Sequence, residues 1–286
     1  MTESKQKTRM QQIGYRTPTG EAEPDQLVLV EYADDGRVAV LSLNRPHADN
    51  AVTTELAAQM IEILETIAAR SSVRVVILIG VGDRAFSVGG DLYQRKQMTH
   101  EQWLHQRQVF DRLLYTLRQL RRPVIAAVHG MAYGGGCEIA LSTDFIIASD
   151  DAMFGQPEAM VGLSAGGGSP IFLPRALPPG KAMQMLMTGE PIDAVEAHRL
   201  GMVNELHPKA ELMAKVLSIA KTIARNSPTA VQSVKRAVLM GEGQSIEQAA
   251  AIMMEAHWRS VVHPDRVEGS RAFIEGREPA FQDPDH

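Results

Sequence analysis

The sequence is short of cysteine, of long apolar runs and of basic charge, and each shortage argues against a class of function. Cys137 is the single cysteine, so no disulfide can form within the chain. No apolar run reaches the roughly 20 residues that a membrane-spanning helix needs. The 29 basic and 34 acidic residues give a net charge of -5, without the basic surplus typical of nucleic-acid binders. We therefore expect neither nucleic acid nor membrane as a partner.

The 286 residues suit one large domain with an appendage. Residues 1–26 are polar and lack the apolar core of a secretion signal, so we expect a disordered N-terminal extension there. Their basic start only weakly resembles a mitochondrial presequence, so the cytoplasm is the expected location and the mitochondrial matrix the weaker alternative. The remaining pattern divides into an α/β core at 27–205, which would carry the site, and a helical region at 206–286.

Apolar runs in the core alternate with helical patterns. A hairpin is predicted around the DDG turn at 34–36, followed by an amphipathic helix whose apolar stripe begins at Leu56. The segments RVVILIG, PVIAAVHG and FIIAS read as buried strands, and a second helix is predicted over about 101–120. This order favours a parallel sheet covered by helices. After about residue 160 the strand signal fades, and the apolar faces of the predicted C-terminal helices need the core or another subunit as a partner.

Three glycine clusters, at 89–90, 134–136 and 166–168, stand out together with two acids. The first two clusters follow buried strands, where ligands bind in open α/β sheets, although glycines that only make tight turns explain them as well. Glu138 falls in the first turn of a helix after the second cluster, and Glu158 falls in a loop. Taken singly, these acids read as a helix-end charge and a surface carboxylate. If both reach one pocket, one stays ionised while the other gains a raised pKa.

Three other patterns are weaker leads. Residues 80–85 fit G-x-G-x-x-A, but FSVGG follows and breaks the helix that a dinucleotide site requires. Cys137 has no histidine near it in sequence, so a packed thiol is favoured over a nucleophile. The nine histidines and the acids show no metal-ligand spacing, so we expect no metal site.

The motifs, in their order, resemble the crotonase superfamily of enoyl-CoA hydratases and isomerases from about Leu27 to Gln282. They are NRP and NAV within 44–52, AFSVGGDL at 85–92, RPVIAAVHG at 122–130, YGGGCE at 133–138, FGQPE at 154–158, and EG with AF within 268–273. The resemblance implies a crotonase-like spiral of strand-strand-helix turns and a C-terminal helical region that builds homotrimers or hexamers. It also implies acyl-CoA thioester substrates and no cofactor beyond the coenzyme A that the substrate carries.

The resemblance also implies roles for residues. The backbone N–H groups of Gly90 and Gly135 would form an oxyanion hole for the thioester oxygen. Glu138, as a carboxylate, would help activate a water for attack at the β-carbon, and Glu158 would deliver a proton to the α-carbon. Besides Gly90 and Gly135, the expected acyl-CoA contacts are Ala48, Val88, Asp91, Leu92 and Tyr93.

Both glutamates together favour hydration of a 2-enoyl-CoA. Double-bond isomerisation or another acyl-CoA lyase or dehydratase reaction is the alternative within the family, and a non-catalytic acyl-CoA-binding protein is the alternative from another class. Val88 and Ser164 depart from the family pattern near the acyl pocket. Gly276 stands where many hydratases carry a lysine that contacts the coenzyme A of a neighbouring subunit.

Overall fold

The structure is a computed structural model that describes residues 8–19 and 23–283, and ten strands in these ranges form two sheets. The strands are β1 (Val28–Ala33), β2 (Val38–Leu43), β3 (Val75–Gly80), β4 (Ala85–Ser87), β5 (Val124–Val128), β6 (Met131–Tyr133), β7 (Phe145–Ser149), β8 (Met153–Gly155), β9 (Ile192–Asp193) and β10 (Glu205–His207). The larger sheet has the order β1-β2-β3-β5-β7-β10, and the smaller has the order β4-β6-β8-β9.

Helices fill most of the remaining described chain. They are α1 (Arg9–Gln12), α2 (Thr54–Ala69), α3 (Leu92–Lys96), α4 (His100–Gln119), α5 (Gly135–Leu141), α6 (Ser169–Ala176), α7 (Pro179–Thr188), α8 (Ala194–Leu200), α9 (Leu212–Arg225), α10 (Pro228–Gly241), α11 (Ile246–Val261) and α12 (Asp265–Glu275). Short 3-10 turns add Pro46–Ala48, Pro157–Val161 and Lys209–Glu211. No helix within the described residues combines the length and apolarity needed to cross a membrane.

The chain winds as a spiral in which three strands of the larger sheet each lead into a short strand of the smaller one. The pairs are β3 with β4, β5 with β6, and β7 with β8, and successive turns pair in parallel in both sheets. A helical segment follows each pair and leads to the next turn. The predicted α/β spiral is therefore confirmed, as are the opening hairpin and the two predicted helices α2 and α4.

Alternate residues of the larger sheet face two apolar layers. One face packs against α2 and α4, which supply Leu56, Leu64 and Phe110 among others. The opposite face meets α9, whose residues four apart, Leu212, Val216, Ala220 and Ala224, form one apolar stripe. Because α9 covers this sheet and β10 extends it, the core continues past the predicted boundary at residue 205. The strand β10 lies across that predicted boundary, and the fading apolar pattern did not predict the strands β9 and β10.

Part of the predicted disordered extension, residues 1–26, has a defined structure. Residues 8–19 contain α1, which begins at Thr8 with a capping box, and a segment that packs on the core. The remaining part of that prediction, at 1–7 and 20–22, lies outside the described residues. Leu27 begins the run that leads into β1, as the sequence indicates.

The C-terminal helices begin where capping patterns predict. Ser227 caps α10, with Pro228 at the first helical position, and Ser245 caps α11 through a complete capping box. Much of their apolar surface stays uncovered, since the exposed fraction is 67% at Val238 and 85% at Ile246. These faces therefore lack a partner within the described chain.

Candidate active site

One cavity of about 300 Å³ brings together the predicted catalytic residues. Of the residues predicted from the sequence, it is lined by Val88, Gly90, Leu92, Gly135, Glu138 and Glu158. These residues come from three successive turns of the spiral, at the segments that follow β4, β6 and β8. The cavity is thus a product of the topology, which sets equivalent turns side by side.

The segment after β4 presents the N–H group of Gly90. Val52 donates its N–H to the Gly89 carbonyl at 2.7 Å and accepts from the Asp91 N–H at 3.0 Å. In this parallel bridge the intervening residue, Gly90, directs its own N–H away from Val52. The hydroxyl of Ser87 accepts from the Gly89 N–H and donates to the Asn50 carbonyl, which fixes the turn. The NAV motif therefore holds the Gly90 amide in place.

The segment after β6 supplies the second amide. Gly135 is the first residue of α5, so its N–H has no acceptor within the helix. A Cβ on Gly135 would lie 3.6 Å from the Gly90 nitrogen, so the two backbones nearly touch. Gly134 has φ 51° and ψ -126°, and a Cβ there would lie 2.8 Å from Oε1 of Glu158. Only glycine suits that position, because it tolerates positive φ and leaves room for the carboxylate.

Glu138 lies one turn into α5 and is buried, with an exposed fraction of 4%. Its Oε1 accepts hydrogen bonds from the N–H groups of Gly167 at 2.6 Å and Ser169 at 3.3 Å. Burial raises the pKa of Glu138, and these two hydrogen bonds oppose that shift by stabilising the ionised form. The third glycine cluster therefore holds one of the two acids in a fixed orientation.

Glu158 lies in the 3-10 turn Pro157–Val161 and is half-buried, so the interpretation as a surface carboxylate is wrong. Burial, followed by the negative charge of Glu138, raises the pKa of Glu158 to about 7, while the positive charge of Arg95 opposes this shift. Its Oε2 is buried without a hydrogen-bond partner among the described residues. The two acids thus differ in environment: one is anchored by amides, and the other can keep a proton near neutral pH.

Three predicted acyl-CoA contacts do not line this cavity. Asp91 caps α3 by accepting from the N–H groups of Tyr93 and Gln94, and it forms a buried ion pair with Arg45 at 3.0 Å. Asp91 and Tyr93 instead line a neighbouring cavity of about 720 Å³. Ala48 is buried in a small apolar cluster that also contains Val88. Of the departures from the family pattern, Val88 and Ser164 line the candidate cavity and Gly276 ends α12.

Other cavity residues carry no signal in the sequence. Arg95 on α3 lies over the ring of Phe110 on α4, and its Nε donates to Oε1 of Gln106 at 2.9 Å. The N-terminal residues Met10 and Tyr15 line the same cavity. No motif marks these positions, because their side chains reach the cavity through helix packing rather than through spacing in the sequence.

The interpretations of residues 80–85 and of Cys137 agree with the structure, whereas the absence of a metal site stays a prediction. Gly80 ends β3, and the following residues 81–84 form bends rather than the helix of a dinucleotide site. The thiol of Cys137 is fully buried, and burial raises its pKa well above the ordinary range. Among the described residues, no group of three or more His, Cys, Asp or Glu side chains is arranged to hold a metal ion.

Comparison with known proteins agrees with this architecture. Residues 34–284 match the family model described as enoyl-CoA hydratase/isomerase. A short-chain-enoyl-CoA hydratase of Clostridium acetobutylicum is 38% identical over 85% of this chain and 93% of its own length. A crotonyl-CoA hydratase of Syntrophomonas wolfei is 34% identical over 86% of this chain and 94% of its own. The crystal structure of an enoyl-CoA hydratase from Bacillus anthracis matches with a TM-score of 0.88 and 35% identity, covering 91% of this chain and all of that one.

The fold is therefore the crotonase fold, with its candidate site between successive turns of the spiral. The chain belongs to the enoyl-CoA hydratase/isomerase family.

Proposed function

We propose that this protein is an enoyl-CoA hydratase that adds water across the 2,3-double bond of a 2-enoyl-CoA thioester. The observation that carries the proposal is the pair of unlike carboxylates, Glu138 and Glu158, in the same cavity as two backbone amides. Relatives named as hydratases of short-chain enoyl-CoA and crotonyl-CoA support the substrate class. A protein that only bound acyl-CoA would have no use for a buried acid without a hydrogen-bond partner, which is costly to maintain.

The proposed mechanism gives each group one task. The thioester oxygen accepts hydrogen bonds from the N–H groups of Gly90 and Gly135, which stabilise the enolate-like charge as it develops. Glu138, ionised and held by the Gly167 and Ser169 amides, takes a proton from water as the oxygen attacks the β-carbon. Glu158, whose raised pKa keeps a proton near neutral pH, protonates the α-carbon. The two carboxyl groups interact, so their proton affinities belong to the pair.

A panel of conjugated enoyl-CoA thioesters tests this function. We expect the ultraviolet absorbance of crotonyl-CoA or a close homologue to fall on addition of enzyme, because hydration removes the conjugated double bond. Mass spectrometry of the product should show the mass of one added water. A product of unchanged mass would indicate isomerisation instead, and a panel without turnover of any short, medium or aromatic enoyl-CoA would contradict the proposal. The comparison of chain lengths also identifies the acyl group.

The proposed reaction adds one water in total, as a hydroxyl group at the β-carbon and a proton at the α-carbon, and involves no net oxidation or reduction. We therefore propose that coenzyme A, as part of the substrate, is the only group required besides the protein. We also propose a cytoplasmic location. Its support is compositional: the single thiol, Cys137, is buried, and no disulfide is needed to stabilise a core of this size.

We further propose that the chain assembles into a homotrimer, or into a hexamer of two trimers. A wide apolar groove of about 1330 Å³ between α6, α10 and α11 is lined by Phe172, Val234, Val238, Ile246 and Met253. Exposed apolar surface on this scale marks an interaction site on soluble proteins. Light scattering should give three or six times the chain mass of 31.3 kDa, and Val238→Glu should lower it by placing a charge in the interface. A monomeric parent protein would contradict the proposal.

A further inference from the structure

The N-terminal residues Thr8–Thr19, here called the strap, lie across the face of the molecule that carries the candidate site. The strap precedes the part of the chain that matches the family model, which begins at residue 34. Its helix α1 packs against the turn that carries Glu158, and Arg9 contacts the Thr188 carbonyl at 3.0 Å and the carboxylate of Glu190 at 2.9 Å. This segment is thus an addition to the family core that reaches the catalytic cavity.

Further along the strap, its contacts fall on the segments that build the site. The ring of Tyr15 stacks on Tyr133 with centroids 5.8 Å apart, and its hydroxyl donates to the Val88 carbonyl at 2.8 Å. Arg16 pairs with the buried carboxylate of Asp49 at 2.9 Å. Next to it, the hydroxyl of Thr17 accepts from the Tyr93 hydroxyl at 3.0 Å. The strap therefore bridges the segments 46–49 and 88–93.

The strap also separates two cavities. Tyr15 lines the catalytic cavity, whereas Thr17 and Pro18 line the neighbouring cavity of about 720 Å³. The segment 90–95 runs beneath both: Gly90, Leu92 and Arg95 face the first cavity, and Asp91, Tyr93 and Gln94 face the second. With the strap displaced, the two cavities would become one groove leading outward from the carboxylates.

The sizes of the two cavities fit this division. A cavity of about 300 Å³ is at the lower end of what drug-sized ligands occupy. An acyl-CoA is larger than such ligands, so the smaller cavity can take the acyl thioester but not the nucleotide. The second cavity has the room, and Arg45 and His47 line it. There the guanidinium of Arg45 is paired with the carboxylates of Glu23 and Asp91, and a phosphate could take the place of the exposed Glu23 carboxylate.

We propose that the strap lies in the acyl-CoA groove and competes with the substrate, so that acyl-CoA binds only when the strap is displaced. This inference rests on the proposed function. The strap is suited to displacement because the side chains of Arg9, Arg16 and Thr17 are solvent-exposed, and the exposed ion pair of Arg9 with Glu190 stabilises the docked strap little. The full chain would then bind acyl-CoA more weakly than the core alone, by a factor equal to the reciprocal of the fraction of time that the strap is displaced.

Removal of residues 1–19 tests the competition directly. If the strap is docked about nine-tenths of the time, the truncated chain should bind free coenzyme A and butyryl-CoA about ten-fold more tightly, by calorimetry. Saturated butyryl-CoA is not hydrated, so this measurement does not depend on turnover.

Arg16→Glu, which places a negative charge beside Asp49, should also tighten binding, within the full chain. Arg199→Glu makes the same charge change at an exposed arginine on α8 that lines neither cavity, and should leave the affinity unchanged.

Trypsin provides a second readout on the intact protein. Arg9 and Arg16 are cleavage sites within the strap, and cleavage follows the population of the displaced state when reclosing is fast. Saturating butyryl-CoA should speed cleavage at these two sites several-fold. Equal or weaker binding by the truncated chain, or slower cleavage with ligand, would overturn the inference while leaving the proposed function standing. Absence of coenzyme A ester binding by both forms would overturn both.

Discussion

Replacement of Glu158 by Gln should reduce turnover of the preferred enoyl-CoA by about 1,000-fold, within the usual range for loss of a general acid. Gln keeps the size and polarity of the side chain but cannot release an acidic proton to the α-carbon. Affinity for butyryl-CoA should stay within about three-fold of the parent, because the amides of Gly90 and Gly135 are untouched. Stopped-flow absorbance gives the rate, and calorimetry gives the affinity.

Two comparisons distinguish the loss of the acidic proton from a folding defect as the cause of the lower turnover. Glu62→Gln removes an exposed glutamate on α2 and should leave turnover at the parent level. Glu158→Gln itself should be more stable than the parent above pH 7. Because the folded pKa of Glu158 is raised to about 7 from its usual 4.5, its contribution to stability is complete below pH 4.5 and is lost as the pH rises through 7. Because Gln does not ionise, the Glu158→Gln variant does not lose this stability. Above pH 7 the variant should therefore melt at a higher temperature than the parent while its activity is lower. Parent-like turnover would remove Glu158 from the mechanism.

The fold was largely predictable because its main strands are nearly unbroken apolar runs and its long helices show a helical apolar period. The six-residue strands β2 and β3 and the 16-residue helix α2 show clear apolar patterns. The smaller sheet was not predicted strand by strand, since β4, β6 and β8 have three residues each and β9 has two. Such strands are too short for alternation to be read. Likewise α9 is amphipathic, but nothing local says that its apolar stripe faces the sheet.

The residues of the candidate site likewise divide into those that the sequence predicted and those that it did not. Gly90, Gly135, Glu138 and Glu158 sit in short contiguous motifs, so their presence in one cavity follows once the spiral sets those motifs side by side. Arg95 reaches the cavity through contacts between α3 and α4, which depend on helix orientation. The strap was misjudged because its polar composition is typical of disorder, while its docking rests on a few specific contacts, such as Tyr15 with Val88. The amino-acid composition of a segment indicates its average burial, but it does not predict single specific contacts of this kind.

Gly89→Ala should reduce kcat by about 100- to 1,000-fold, the usual effect of losing one oxyanion donor. Gly89 has φ +81°, and a Cβ there would lie 2.5 Å from the Gly135 nitrogen and 2.8 Å from the Tyr133 carbonyl oxygen. Neither neighbour is a flexible side-chain end, so the backbone itself must move. This shift would separate the N–H groups of Gly90 and Gly135. The two groups can donate to the same thioester oxygen only while the two turns stay in close contact.

Gly201→Ala separates this effect from backbone strain. Gly201 ends α8 with φ +96°, and a Cβ there meets only the Ala176 carbonyl oxygen at 3.9 Å. Alanine in a left-handed conformation costs roughly 1–2 kcal/mol, so both variants should melt at lower temperatures than the parent. Steady-state kinetics of folded protein should nevertheless show a parent-like kcat for Gly201→Ala alone. If Gly89→Ala also kept the parent kcat, the paired amides would not be the source of enolate stabilisation. Catalysis would then depend mainly on the carboxylates, and Glu158→Gln would have to account for most of the rate enhancement.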